Sequence, residues 1–208
     1  MSSSGAAGSL ARSLAAVMHD STADASTYDA HTLADVQLIA LARESRHAAL
    51  EGLYAAYKER IYGFLLRVLG DAEAADDITQ DTFTKAYGAL GQLANEQKVL
   101  PWLYRIANNA ALDAIRRERR FLWLGLGKLE GTMDEPRSSD EHGRVPEREH
   151  VQAVLRTLPL EQAIALLLHA REGYSYKEIA GIQGVTMTAV RSRIARGRAA
   201  FIKRYATN

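Results

Sequence analysis

The chain has 208 residues, 47% of them apolar and 25% charged, the composition of a globular protein with material for one large or two small cores. Its 26 basic and 25 acidic residues nearly cancel, so total charge names no partner, and the absence of cysteine excludes a disulfide scaffold, a Cys-ligated zinc site and a thiol nucleophile. No apolar run approaches the roughly 20 residues of a membrane span, and Leu10 to Met18 lacks the basic start and long apolar centre of a signal peptide, so a soluble cytoplasmic protein without membrane insertion is expected.

Residues 1–34 are rich in Ser, Ala, Thr and Asp with little periodicity, and read as a mobile extension. From Asp35 the pattern turns helical. Leu50, Leu53, Tyr54, Tyr57, Ile61, Phe64, Leu65 and Val68 recur at three and four residues, the spacing of one helical face. Gly70 stops that helix and Asp71 caps the next, which places Ile78, Thr82, Ala86 and Tyr87 on one side before fading at Gly88 and Gly91. Pro101 suits the first turn of a third helix, where a missing N–H costs nothing. Leu103, Ile106, Ala107, Ala110 and Ala114 form its buried stripe, and Arg116, Arg117, Arg119 and Arg120 end it. Residues 35–120 therefore read as one helical domain.

A linker follows over 121–145, rich in Gly, Ser and charge, yet opening with Phe121, Leu122, Trp123, Leu124 and Leu126. So apolar a start needs cover. It either packs on a domain or an inhibitory protein, restraining the pair, or extends the third helix. A second domain, 146–208, begins near Pro146 with the stripe Val151, Val154, Leu155 and Leu158. Pro159 opens a helix burying Ile164, Leu167 and Leu168. Ser175-Tyr176-Lys177-Glu178 is a capping box, and Thr186 caps a last helix with Val190, Ile194, Gly197 and Phe201 on one side. No segment alternates like a strand, so the fold class is all-α, with two small helical domains joined by a flexible linker.

Charge is unevenly placed. Residues 102–120 hold five Arg against Asp113 and Glu118, and 151–208 hold nine bases against three acids. The final helix carries Arg191, Arg193, Arg196, Arg198, Lys203 and Arg204 and no acid, all expected to project outward. A short capped helix, a glycine turn and a longer basic helix describe a helix-turn-helix, whose second helix enters the major groove. The plain alternative is a basic surface helix.

The acids Asp71, Glu73, Asp76, Asp77 and Asp81 crowd one helix start. The helix dipole accounts for the early ones but not for Asp81. With no His patterned beside them, a protein-docking face is preferred to a metal site, and no metal or cofactor is expected. Trp102 to Asn109, running into the Arg cluster, combines aromatics, amides and cations as single-stranded nucleic acid requires. Two further readings stay open: a free-standing helix-turn-helix regulator, and a metal-dependent phosphohydrolase built on the Asp cluster.

Taken in order, these residues resemble a family. Asp76-Asp77-Ile78-Thr79-Gln80-Asp81-Thr82-Phe83, then Trp102-Leu103-Tyr104-Arg105-Ile106-Ala107-x-Asn109 and the arginines, look like region 2 of bacterial sigma factors. Leu158-Pro159, Gly173 to Ala180 and Thr188-Ala189-Val190-Arg191-Ser192-Arg193 look like region 4. Only these two regions are present, as in the extracytoplasmic-function sigma factors of the sigma-70 family. The resemblance implies a non-enzymatic subunit that binds core RNA polymerase and directs promoter recognition, melting and transcription initiation. Its partners would be core RNA polymerase, promoter DNA and an anti-sigma factor. It places Asp76, Asp77, Gln80, Asp81 and Phe83 in the polymerase-docking surface. Residues 88–101, with Lys98, would capture a flipped base of the −10 element, and Asn109, Asp113, Arg116 and Arg117 would line its melting side. Thr188, Arg191, Ser192 and Arg196 would face the −35 element. Met187 stands where the family often has Pro. Promoter elements about 17 base pairs apart lie roughly 60 Å from each other. The thirty residues 121–150, which include the linker, span roughly 30 Å as a coil and about 100 Å extended, so the connection reaches only when stretched.

Overall fold

The computed structural model describes residues 35–42, 44–92, 98–123 and 146–206, and every regular element among them is helical. Helix α1 covers 35–42, α2 Arg46–Leu69 and α3 Ala72–Ala89; a 3-10 turn at Leu90–Gln92 follows, then α4, Val99–Trp123. The second unit is α5 Pro146–Arg156, α6 Leu160–Ala170, α7 Tyr176–Gln183 and α8 Met187–Tyr205. The extension expected over 1–34 lies outside the described residues. So does the linker from 124, whereas 121–123 continue α4 as helix.

Helix α2 is closed at both ends. The Ser45 hydroxyl accepts from the Ala48 N–H, and Gly70, at φ 74°, turns the chain while its own N–H bonds Leu66. Its inner face buries Leu53, Tyr57, Ile61, Phe64, Leu65 and Val68, while Tyr54 stays 38% exposed. The buried stripe is thus narrower than the periodicity suggested. Helix α1 crosses α2 at Gly52, where an added Cβ would come within 2.6 Å of Leu38 Cδ2. Asp71 caps α3 by accepting from Ala74 N–H at 2.8 Å. That helix buries Ala75, Ile78, Thr79, Thr82, Phe83 and Ala86. The hydroxyls of Thr79 and Thr82 bond the carbonyls one turn back, which lets two polar side chains enter the core. Tyr87, which the spacing groups with Ile78, Thr82 and Ala86, is 40% exposed, lying under the Arg46 guanidinium, which also bonds the carbonyls of Tyr87 and Gly88.

Helix α4 starts under a remote cap. The buried carboxylate of Asp35 in α1 accepts from Val99 N–H at 3.0 Å with one oxygen and from the Tyr57 hydroxyl with the other. One side chain therefore ties α1, α2 and α4 together, satisfying a helix-start N–H that has no partner within its own helix. Burial first, and the Asp35 bond second, push the Tyr57 hydroxyl above its ordinary range.

In the second unit the Ser175–Glu178 box is complete, Gly184 at φ 65° ends α7, and Thr186 caps α8. Val190, Ile194, Gly197 and Phe201 face α6 and α7, as the spacing required. At Gly197 the helices approach so closely that a Cβ would stand 3.3 Å from Gln162 Cβ. The two units pack on each other, α4 against α7 and α2 against α5 and α6.

Candidate protein and nucleic-acid interfaces

The acidic helix presents a mixed surface. Asp77 and Gln80 are exposed and Asp76 and Asp81 half-buried. Gln80 donates to Asp76 at 2.7 Å, and Asp81 pairs with Lys85 at 3.1 Å, so these acids are steadied along their own helix. Phe83 departs from the expectation of a surface docking residue. It is only 4% exposed, because it falls on the same inner stripe as Ile78, Thr79 and Thr82. Its ring packs edge-on against Tyr54 at 5.0 Å, and Tyr54, with Lys58 over its face, is the aromatic group that reaches solvent there.

Helix α4 has two faces. Tyr104, Ala107, Asn108 and Ala111 are buried. Arg105, Asn109, Asp113, Arg116, Arg117 and Arg120 are exposed, and most follow one another at three or four residues, making a single outer row. Asp113 and Arg116 pair loosely within it at 3.4 Å, a contact of small energetic weight. Asn108 Nδ2 donates to Asn109 Oδ1 at 3.1 Å and so orients the outer amide. Lys98 is exposed just before the helix. Of the loop expected to capture a base, residues 93–97 lie outside the described residues.

On α8, Thr188, Arg191 and Arg196 are exposed and Ser192 half-buried, all toward the N-terminal half of the helix. Arg196 Nε lies 3.4 Å from the Ser192 carbonyl. Arg193 does not project with the other bases. Its Nη1 donates at 2.8 Å to Gln183 Oε1, while Gln183 Nε2 donates at 3.0 Å to the Glu161 carbonyl. The chain Arg193–Gln183–Glu161 fixes α8 against α7 and α6 and withdraws one cation from the surface. A lone buried Gln at the end of α7 is the only hint of this in the sequence. Glu178, the reciprocal half of the box, is held below the usual carboxylate range: burial opposes this, but the Ser175 bonds outweigh burial, with help from Lys98.

Comparison with known proteins accounts for both units. The family description of sigma-70 region 2 matches residues 53–121, and that of sigma-70 region 4 matches 148–201. The RNA polymerase sigma-H factor of Pseudomonas aeruginosa is 32% identical over 81% of this chain and 92% of its own length. The ECF RNA polymerase sigma factor SigM of Mycobacterium tuberculosis is 30% identical over 81% of this chain and 83% of its own. Among solved structures, CnrH in complex with the cytosolic domain of CnrY aligns with a TM-score of 0.58 and 26% identity over 81% of this chain and 94% of that one. A helical region 2 followed by a region 4 helix-turn-helix defines a two-region sigma factor, and the chain belongs to the extracytoplasmic-function group of the sigma-70 family. It acts in promoter-directed transcription initiation with RNA polymerase, which sets aside the free-standing regulator. No helix among the described residues is long and apolar enough to cross a membrane.

Proposed function

We propose that residues 35–120 and 146–208 act as separate readers of one promoter, joined by 121–145, in a cytoplasmic factor that performs no catalysis of its own. The carrying observation is the segregation of exposed chemistry onto three surfaces. Acids beside an exposed ring lie on α3 and α2, an amide and arginine row on α4, and bases on α8. Asp76, Asp77, Gln80 and Asp81 dock on core RNA polymerase, with Phe83 acting from behind by holding Tyr54. Lys98, Asn109, Asp113, Arg116 and Arg117 attend the −10 element, where amide edges and cations suit an unstacked strand. Thr188, Arg191, Ser192 and Arg196 address the −35 element, since the N-terminal part of a recognition helix reaches base edges. An anti-sigma partner is part of this reading, supported by the similar fold of CnrH, which was solved with the cytosolic domain of CnrY.

The test is reconstitution. The chain should copurify with core polymerase and support run-off transcription from a subset of genomic fragments. Asp77→Lys should weaken that association by several kcal/mol at most, with helicity kept, because a reversed charge meets a surface matched to an acid. Failure of the wild-type chain to bind core polymerase would defeat the reading.

A further inference from the structure

Glu172 stands in the turn between α6 and α7. Gly173 there takes φ 74°, and the N–H groups of Glu172 and Tyr174 bond the carbonyls of Leu167 and Leu168 at 3.2 and 3.0 Å. This tight turn carries Glu172 out of its own unit and into the other. Its Oε2 accepts from the Tyr104 hydroxyl at 2.8 Å and from Arg60 Nε and Nη2 at 3.2 and 3.0 Å. The side chain keeps only 8% of its exposure, and Arg171 Nε lies 4.0 Å from Oε1. Rings continue the contact: Tyr174 meets Tyr104 edge-on at 5.7 Å, and Tyr104 meets Phe64 at 4.9 Å. Burial, then the Glu172 charge, pushes the Tyr104 hydroxyl well above its ordinary range, so it remains a donor. Burial works against the Arg60 charge, but Tyr104 and Glu172 outweigh it and hold the guanidinium above its usual value. Elsewhere on the same boundary, Arg156 of α5 lies over Gly70, where any Cβ would come 2.1 Å from its Nε.

We propose that Glu172 is the bolt of an autoinhibitory closure: seated between Arg60 and Tyr104, it holds the two units face to face, and its release frees them to engage separate promoter elements. The proposal rests on the two-reader function above. A closed body of this chain length measures about 40 Å across by the general size scaling of globular proteins. Elements roughly 60 Å apart are beyond its reach. Opened, the units can separate, since residues 124–145 extend to at most about 75 Å.

The closure is also built to be undone. Burying an acid with its cation costs solvation that largely offsets their attraction, so such a pair specifies an arrangement more than it stabilises one. A partner that binds only the open form, as core polymerase would, shifts the balance by its own affinity.

The chain contains no cysteine, so Ala55→Cys and Ala199→Cys, at exposed sites on α2 and α8, give one dye pair for energy transfer in the full-length protein. The labelled wild type should show one high-transfer population. Glu172→Lys, which sets a second cation beside Arg60, should move the ratio toward low transfer on the order of a hundred-fold. Core polymerase binding should tighten at least several-fold, by the factor that closure withheld. The milder Glu172→Gln should act in the same direction with a smaller factor. Exchanging the charges, Arg60→Glu with Glu172→Arg, should restore high transfer, a rescue that general loosening of the fold cannot give. The closure is overturned by a low-transfer wild type, by variants that retain wild-type transfer and polymerase affinity with helicity intact, or by failure of the exchange to restore transfer. Wild-type run-off transcription, scored in parallel, reports on the sigma function independently of all three.

Discussion

In the second unit the ends of α7 and the start of α8 are closed by residues within four positions: Ser175 with Glu178, Gly184, and Thr186. In the first, α4 begins under Asp35, 64 positions earlier, and Arg46 reaches 41 and 42 positions forward to the carbonyls that end α3. The helices differ to match. After the short α1, the first unit has helices of 24, 18 and 25 residues, and the second has short ones of 11, 11 and 8 before the 19-residue α8. Short helices are marginal alone and depend on their caps. Long ones bury enough surface to form, and need distant contacts chiefly to fix their packing. The second unit is thus closed by local signals, whereas in the first only α2 and the start of α3 are capped locally, and the end of α3 and the start of α4 are fixed by contacts across the chain.

The largest break in that contrast should come from Asp35→Ala. It strands the Val99 N–H and takes from the Tyr57 hydroxyl its carboxylate acceptor, at a cost of about 3 kcal/mol. Both tryptophans, Trp102 and Trp123, belong to α4, so fluorescence during denaturant unfolding reports this unit alone. Hydrogen exchange in α6 to α8 should hardly change; an equal loss there would show that the units are not separately specified.

Alkali should act in the same direction, less sharply. Tyr57 and Tyr104 both have raised hydroxyl pKa values, by burial first and by Asp35 and Glu172 next. Above about pH 10 the unfolded chain loses these protons before the folded one, so their stabilisation is present below pH 10 and declines as pH rises. The fluorescence transition of the first unit should therefore fall between pH 10 and 12 ahead of protection in the second.

Ser175→Ala should have the smallest effect, about 1 kcal/mol, confined to the second unit. The same box gives an acid dependence of opposite sign. Because Glu178 is held below its usual value of 4.5, its contribution is present above that pH and is lost as pH falls. Melting of the isolated α6–α8 exchange signal at pH 6 and pH 3 measures both.

This contrast also explains what could be read in advance. Gly70, Asp71, the Ser175 box and Thr186 were legible because each signal lies beside the helix end it closes. The stripe on α8 was legible because Val190, Ile194, Gly197 and Phe201 recur at helical spacing and are all buried. On α3 the spacing grouped Tyr87 with Ile78, Thr82 and Ala86, and the family resemblance put Phe83 at the surface. There Thr79 and Thr82 enter the core through hydrogen bonds to their own helix, so polarity no longer marks the outside. Arg193 was taken as a surface base because its partner Gln183 sits on another helix. Glu172 had a faint signature. Of the three acids in 151–208, Glu178 completes the capping box and Glu161 opens α6, leaving Glu172 without a local role. Its partner Arg60 lies 112 positions away, beyond any local pattern.

The most direct test of two independent readers uses a promoter found by run-off transcription, with its −10 and −35 elements scrambled one at a time. Reconstituted polymerase carrying Arg196→Ala should lose about 1–3 kcal/mol of preference for the native −35 sequence while still discriminating at −10. The pair Arg116→Ala with Arg117→Ala should do the reverse, losing discrimination at −10 and keeping it at −35. Equal loss by both variants on every template would contradict the account, leaving two basic surfaces that hold DNA without dividing the promoter between them.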